Sequence, residues 1–163
     1  MIRVVNASPL IVLSHLGRLD LLREPRPGIE VAAPQAVLDE VMRGELDDPA
    51  VALVPVAVDD WLRVIPTPPV HPSIQPRRLD PGEIAVLSVA LDHPGWEAVL
   101  DDHAARREAA RLGVPGIGTV GLVLTGRRLG IVPSVRDALQ SLRDAGMYIS
   151  DGLFRLALDE AGE

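Results

Sequence analysis

A repeated handover from short apolar runs to helical segments constrains this chain more than any other feature of its sequence. Arg3 to Ala7 is a short run rich in β-branched residues, the pattern of a strand, and Ser8-Pro9 then offers an N-cap with proline at the first helical position. Leu10, Leu13 and Leu16, with Ile11, and then Leu19, Leu21 and Leu22 form a helical apolar face, bent near Gly17 and stopped by Pro25-Arg26-Pro27-Gly28. Ile29 to Ala33 reads as a second strand. Pro34 opens the next helix, in which Val37, Leu38, Val41 and Met42 repeat at helical spacing up to Gly44, and Glu40 lies off that stripe.

From Glu45 to Pro76 the pattern is least regular. Asp47-Asp48-Pro49, Pro55, Pro66, Pro68-Pro69, Pro72 and Pro76 are expected to prevent any long helix, leaving an edge strand over Trp61 to Pro66. Asp80 and Glu83 mark a helix start, as N-cap and third helical residue, with Ile84, Leu87, Ala90 and Leu91 as its buried face up to His93-Pro94-Gly95. Trp96 to Leu100 is a strand that ends in Asp101-Asp102, and Ala104 to Leu112 is a helix ended by Gly113. A very short strand at Val114 to Gly118 leads into a helix over Thr119 to Arg128, and helices follow over Ser134 to Asp144 and Ser150 to Asp159. The alternation predicts an α/β fold with a parallel sheet covered by helices. At 163 residues the chain is expected to be one domain, with a proline-rich irregular segment at about 45–76.

Composition narrows the chemistry. The chain is 47% hydrophobic but has one Phe, one Tyr and two Trp, so its core is made of Leu, Val, Ile and Ala. It has no cysteine, which removes disulfides, thiolate zinc sites and a cysteine nucleophile. No apolar run reaches the roughly 20 residues that span a bilayer, and Met1-Ile2-Arg3-Val4-Val5 enters a strand pattern rather than a signal peptide, so a cytoplasmic protein with no membrane association is expected. A net charge of -7 argues against non-specific coating of nucleic acid and leaves only local basic patches for phosphate. Every basic residue is Arg, from which no function follows.

In open parallel sheets, ligands bind beyond the carboxyl ends of the strands. Asn6 and Asp101-Asp102 lie at two such ends, and Glu40 and Glu83 lie on helices expected to pack beside them. Oxygen ligands of this kind suit hard cations such as Mg²⁺ or Mn²⁺. Taken singly, each acid also reads as a solvated surface charge, and Glu83 as the partner of Asp80 in a capping box.

The segments Val4-Val5-Asn6-Ala7-Ser8-Pro9-Leu10-Ile11, Leu79-Asp80-Pro81-Gly82-Glu83-Ile84-Ala85-Val86-Leu87-Ser88-Val89-Ala90-Leu91, Leu100-Asp101-Asp102-His103-Ala104-Ala105-Arg106-Arg107-Glu108-Ala109-Ala110-Arg111-Leu112-Gly113 and Gly118-Thr119-Val120-Gly121-Leu122-Val123-Leu124, in this order and followed by the final helices, resemble the PIN-like proteins of prokaryotes. The resemblance implies a three-layer, Rossmann-like fold with a central parallel sheet, and an acidic pocket that binds Mg²⁺ or Mn²⁺ for phosphodiester hydrolysis. Many such proteins are VapC-like toxins of toxin–antitoxin pairs. It places Asn6 at the first acidic position, Glu40 at the helix acid, Glu83 at the third and Asp101 or Asp102 at the fourth, with Thr119 nearby. These five, Asn6, Glu40, Glu83, Asp101 and Asp102, are the implied metal-binding and catalytic residues. The chain departs from the pattern at Asn6, where an amide removes one negative charge from the pocket. Arg106 matches a recurrent Arg; pairing with Asp101 is favoured over binding phosphate.

Other motifs carry less. Gly116-Ile117-Gly118-Thr119-Val120-Gly121 fits G-x-G-x-x-G, but its strand is too short and too late in the chain for a dinucleotide site. Asn6-Ala7-Ser8 is a chance glycosylation sequon. His15, His71, His93 and His103 show no ligand spacing, and His103 reads as a surface residue at a helix start. Two functions are therefore expected to compete: a metal-dependent endoribonuclease acting on RNA, with an antitoxin protein as partner, and a PIN-like binding module in which Asn6 has weakened catalysis. The proline-rich stretch and the apolar C-terminal helices point to a homodimer or a protein partner.

Overall fold

The computed structural model describes residues 1–23 and 28–163. Its five strands are all parallel and form one sheet in the order β3-β2-β1-β4-β5, with β1 at Ile2–Val5, β2 at Glu30–Pro34, β3 at Leu62–Ile65, β4 at Glu97–Val99 and β5 at Gly116–Ile117. Eight helices flank the sheet among the described residues: α1 (Ala7–His15), α2 (Gln35–Val41), α3 (Pro49–Asp60), α4 (Pro81–Asp92), α5 (His103–Leu112), α6 (Thr119–Arg128), α7 (Val135–Asp144) and α8 (Asp151–Ala161). This is the expected three-layer α/β arrangement. No helix among the described residues is long and apolar enough to cross a membrane.

The central strand shows why the first apolar run is continuous rather than alternating. β1 pairs on both sides, Val4 with Ala32 of β2 and with Ala98 of β4, and both faces are covered, so Val4 and Val5 are fully buried. Arg3 is also buried, and its donors are paired: Glu97, its register partner on β4, accepts from Nε at 2.8 Å and the Leu22 carbonyl accepts from a terminal nitrogen at 2.8 Å. That second bond fastens the 3-10 turn Leu19–Leu22, which follows the bend at Gly17, to the sheet.

The chain runs outward from β1 through β2 to β3 and then returns to the other side of β1 with β4 and β5. The strand order therefore reverses between β1 and β4, and a crevice opens beyond their carboxyl ends. Helix α4 lies beneath it. It packs on β1, β2 and β4, and residues 82–83 and 85–90 are all buried. Burying a side chain such as Leu87 contributes about 1.5–3 kcal/mol.

Two expectations are corrected. The segment at about 45–76 is not irregular throughout, and its prolines do not prevent a long helix: α3 runs for 12 residues with Pro55 inside it. Asp48 caps it by accepting the Ala50 N–H at 2.8 Å, Pro49 sits at its start, and buried Ala50, Val54 and Ala57 place one face on α1. Pro55 is on the exposed side, where water can take the carbonyl it leaves unpaired. Packing of the buried face offsets the roughly 3 kcal/mol that an interior proline costs. Helix α1 is capped at Asn6, not Ser8, so Pro9 is its third residue; the first-turn N–H groups have no intrahelical partner, and proline there loses nothing. Pro34 ends β2 and caps α2, whose first turn is closed by Thr67 accepting the Ala36 N–H at 2.8 Å. The predicted stop at Pro25-Arg26-Pro27 lies outside the described residues. The later proline-rich chain is strapped across α4 and α5, with His71 N–H bonded to Ser88, Gln75 N–H bonded to Glu108, and Ile74 buried.

Candidate active site

The crevice at the switch point is a cavity of about 610 Å³, and Asn6, Glu40, Glu83, Asp101 and Asp102 all line it, with Ser8, Ile11, Val12, Asp80 and His103. Residues 145–148, which join α7 to α8, close one side. Five residues separated by up to 96 positions in sequence thus face one space. They differ sharply in how they are held.

Asn6 follows β1 directly, and its backbone N–H continues the ladder to the Val99 carbonyl at 3.2 Å. Its side chain is buried, caps nothing, and leaves Oδ1 without a hydrogen-bond partner. An unpaired buried carbonyl oxygen of this kind costs about 1–3 kcal/mol and calls for a role. Gly82 explains the room around it: a Cβ built there would lie 2.7 Å from Asn6 Oδ1, 3.0 Å from Glu40 Oε2 and 3.3 Å from Asp80 Oδ1. The glycine is what lets these three oxygens approach the first turn of α4.

Glu40 stands near the end of α2, half-buried, and its carboxyl is raised above its ordinary pKa, first by burial and then by the charge of Asp80, against a smaller pull from Arg43. Glu83 is more confined, with a relative exposure of 4%. It completes the capping box: Asp80 Oδ1 accepts the Glu83 N–H at 2.7 Å, and Glu83 Oε2 accepts the Asp80 N–H at 3.0 Å. Burial nonetheless pushes it up to about 7; the bond from Asp80 N–H pulls the other way, and the charges of Asp80, Asp102 and Glu40 add to the rise. The capping role and the place in the cavity are therefore not alternatives.

Asp101 ties β4 to α6. Its carboxylate accepts the Thr119 N–H and the Thr119 hydroxyl, both at 2.7 Å, and a long bond of 3.5 Å from Ser8. Burial still outweighs these bonds and raises its pKa. Gly118 admits this contact, since a Cβ there would lie 3.2 Å from Asp101 Oδ1. The N-terminal N–H of α6, which a G-x-G-x-x-G reading would aim at a phosphate, is thus occupied by Asp101. Arg106 makes no ion pair with Asp101 within 4 Å, contrary to the favoured expectation; a Cβ on Gly118 would lie 3.5 Å from its guanidinium, and it lowers the Asp101 pKa through space. Asp102 is exposed and caps α5, accepting the Ala104 and Ala105 N–H groups at 2.7 and 3.0 Å through Oδ1.

Among the described residues, no three His, Asp or Glu side chains close on one point as a ready metal cage. The donors still suit a hard divalent cation, because all are oxygens, Asn6 Oδ1 is buried and unpartnered, and two carboxyls are held above their usual pKa by burial and mutual repulsion. Mg²⁺ keeps several waters and takes one or two carboxylates, so it needs no closed protein cage. Sequence reasoning treated Asp80 only as a cap and His103 as a surface residue, and missed Gly82 and Tyr148 as neighbours of the acids. Asp80 was legible as a site acid from its place three residues before Glu83; nothing local distinguishes the other three.

A family model described as PIN domain matches residues 2–163, and no curated protein matches the chain. PIN domains are generally nucleases, so hydrolysis of nucleic acid is the class of activity that fits. With the match running over almost its full length, and an all-parallel sheet opening on an acid-lined cavity, the chain belongs to the PIN domain family.

Proposed function

We propose that the protein is a metal-dependent endoribonuclease of the PIN type, working in the cytoplasm as the toxin half of a toxin–antitoxin pair. The observation that supports this best is the orphaned Asn6 Oδ1, buried beside Glu40 and Asp80 in the cavity that Glu83, Asp101 and Asp102 also line. Asn6, Glu40, Glu83 and Asp101 or Asp102 would hold Mg²⁺ or Mn²⁺, and such an ion supplies a nucleophilic water and neutralises charge on a phosphodiester. In the metal-free protein Glu83, with a pKa pushed up to about 7, holds a proton near neutrality, and it would release that proton on taking the ion as a carboxylate. Asp101 serves position first, because Thr119 saturates the inner side of its carboxylate and fixes the end of β4 against α6. Gly82 keeps the space open. An antitoxin and a second copy of the chain are the proposed protein partners, supported by exposed Leu53 and Val56 on α3 and Leu153 and Leu156 on α8.

The test is cleavage of a mixed RNA pool across Mn²⁺ and Mg²⁺ titrations, with Glu40→Gln as the paired variant. Cleavage that needs the ion and is lost in Glu40→Gln is expected. No cleavage by the wild type at any metal concentration would favour a binding module in which the amide at Asn6 has weakened catalysis.

A further inference from the structure

The cavity that the acids line also contains an aromatic side chain on which, among the described residues, no ring or cation is packed. Tyr148, the only tyrosine of the chain, is 88% exposed and lines the same cavity as Asn6, Glu40, Glu83, Asp101 and Asp102. The other large aromatics are half-buried and engaged: Trp61 lies under Arg23, Trp96 stacks on His93, and Phe154 lies under Arg143. Among the described residues, Tyr148 is the large aromatic whose ring has no such contact.

Its backbone is firmly framed. Before it, the Met147 N–H bonds the Leu142 carbonyl at 2.9 Å and Gly146 takes a left-handed φ of +92. After it, Ile149 is buried and its carbonyl accepts from Arg143, which also pairs with Asp151 at 2.9 Å. Hydrogen bonds on both sides of Tyr148 thus fix the backbone from which its ring projects at the cavity.

The lining also lacks what usually attracts a polyanion. It contains Glu40, Asp80, Glu83, Asp101 and Asp102 and neither Arg nor Lys, in a chain of net charge -7. The side chains of the lining therefore offer phosphate little, and a neutral face that stacks on bases adds affinity that needs no positive charge. We propose that Tyr148 is the stacking platform for an unpaired RNA base, which seats the adjoining phosphodiester over the acids. A base within a duplex offers no free face. The assignment rests on the nuclease reading for its choice of RNA, and the stacking itself can be measured without cleavage.

The experiment follows binding by fluorescence anisotropy with Ca²⁺ as the only divalent cation, chain integrity being checked on a gel. The probes are a labelled, unstructured oligoribonucleotide and its abasic counterpart, which has the same sugar–phosphate chain. Stacking on one aromatic is worth about 1–3 kcal/mol per base, so wild type is expected to prefer the base-bearing chain by about five- to a hundredfold. Tyr148→Ala should lose that preference while binding the abasic chain as wild type does, and Tyr148→Phe should keep it. Equal loss toward both chains would mean a structural role and overturns the proposal, as does unchanged binding in Tyr148→Ala or wild type that binds neither chain. Hydrolysis of bis(4-nitrophenyl) phosphate by wild type with Mn²⁺ tests the nuclease reading separately, because that diester carries no base.

Discussion

Replacing Glu83 by glutamine separates its charge from its place in the helix start. Glutamine has nearly the same shape and still accepts the Asp80 N–H, so the capping box is kept while the ionisation is lost. In the metal-free protein the folded pKa of Glu83 is raised from 4.5 to about 7. Between those values the folded state keeps a proton that the unfolded state has released, so stability falls as pH rises. The contribution of Glu83 is fully present below about pH 4.5 and is lost as pH passes through about 7. At about 1.36 kcal/mol per pKa unit the whole shift is worth roughly 3 kcal/mol, and because the cavity is open to water and the repulsion is shared with Asp80, Asp102 and Glu40, about 2 kcal/mol is expected. For a domain of this size that is roughly 4–8 °C in Tm. Thermal unfolding in EDTA, followed by circular dichroism at intervals from pH 4 to 8, should show Tm of the wild type falling across this window and a flatter profile for Glu83→Gln. Comparing slopes removes any constant cost of burying the amide. Parallel profiles for the two proteins would refute the burial and charge coupling assigned to Glu83.

Asn6→Asp places a carboxylate at a buried position whose Oδ1 already lacks a partner, so the metal-free fold should lose stability while Mn²⁺ affinity and RNA cleavage increase. One added charge at about 4 Å from a cation is worth roughly 4 kcal/mol per unit of cation charge at an effective dielectric of 20, before desolvation is subtracted; calorimetry showing unchanged affinity would remove Asn6 from the ligand positions. Gly82→Ala brings a methyl to 2.7 Å from Asn6 Oδ1 and should lower metal affinity tenfold or more, and Tm as well, because the buried Asn6 side chain must shift to make room; cleavage at the wild-type rate would show that the gap it fills is idle. Light scattering is expected to report a dimer, shifted toward monomer by Leu156→Glu on the exposed side of α8, and a monomer at every concentration would rule the homodimer out.

Much of the fold is legible because its signals are local. The run Arg3 to Ala7, the proline at residue 34, the Asp80/Glu83 capping box and Gly113 each act within one turn of chain, and the alternation of strand and helix then leaves a parallel sheet as the economical arrangement. Helix α3 was hidden for the opposite reason: Pro55 is a local breaker, and only the packing of Ala50, Val54 and Ala57 against α1, formed after collapse, overrides it. The acids could be named from residue type and position at strand and helix ends, together with a family likeness, yet nothing in their spacing says how each is held. That Thr119 binds Asp101, that Arg106 acts only at a distance, that Asn6 Oδ1 has no partner and that Tyr148 shares their cavity follow from where the sheet reverses between β1 and β4. Residue identity determined which groups could ionise or accept a proton; burial and neighbouring charge, which exist only once distant segments meet, decided that Glu83 does so near neutrality.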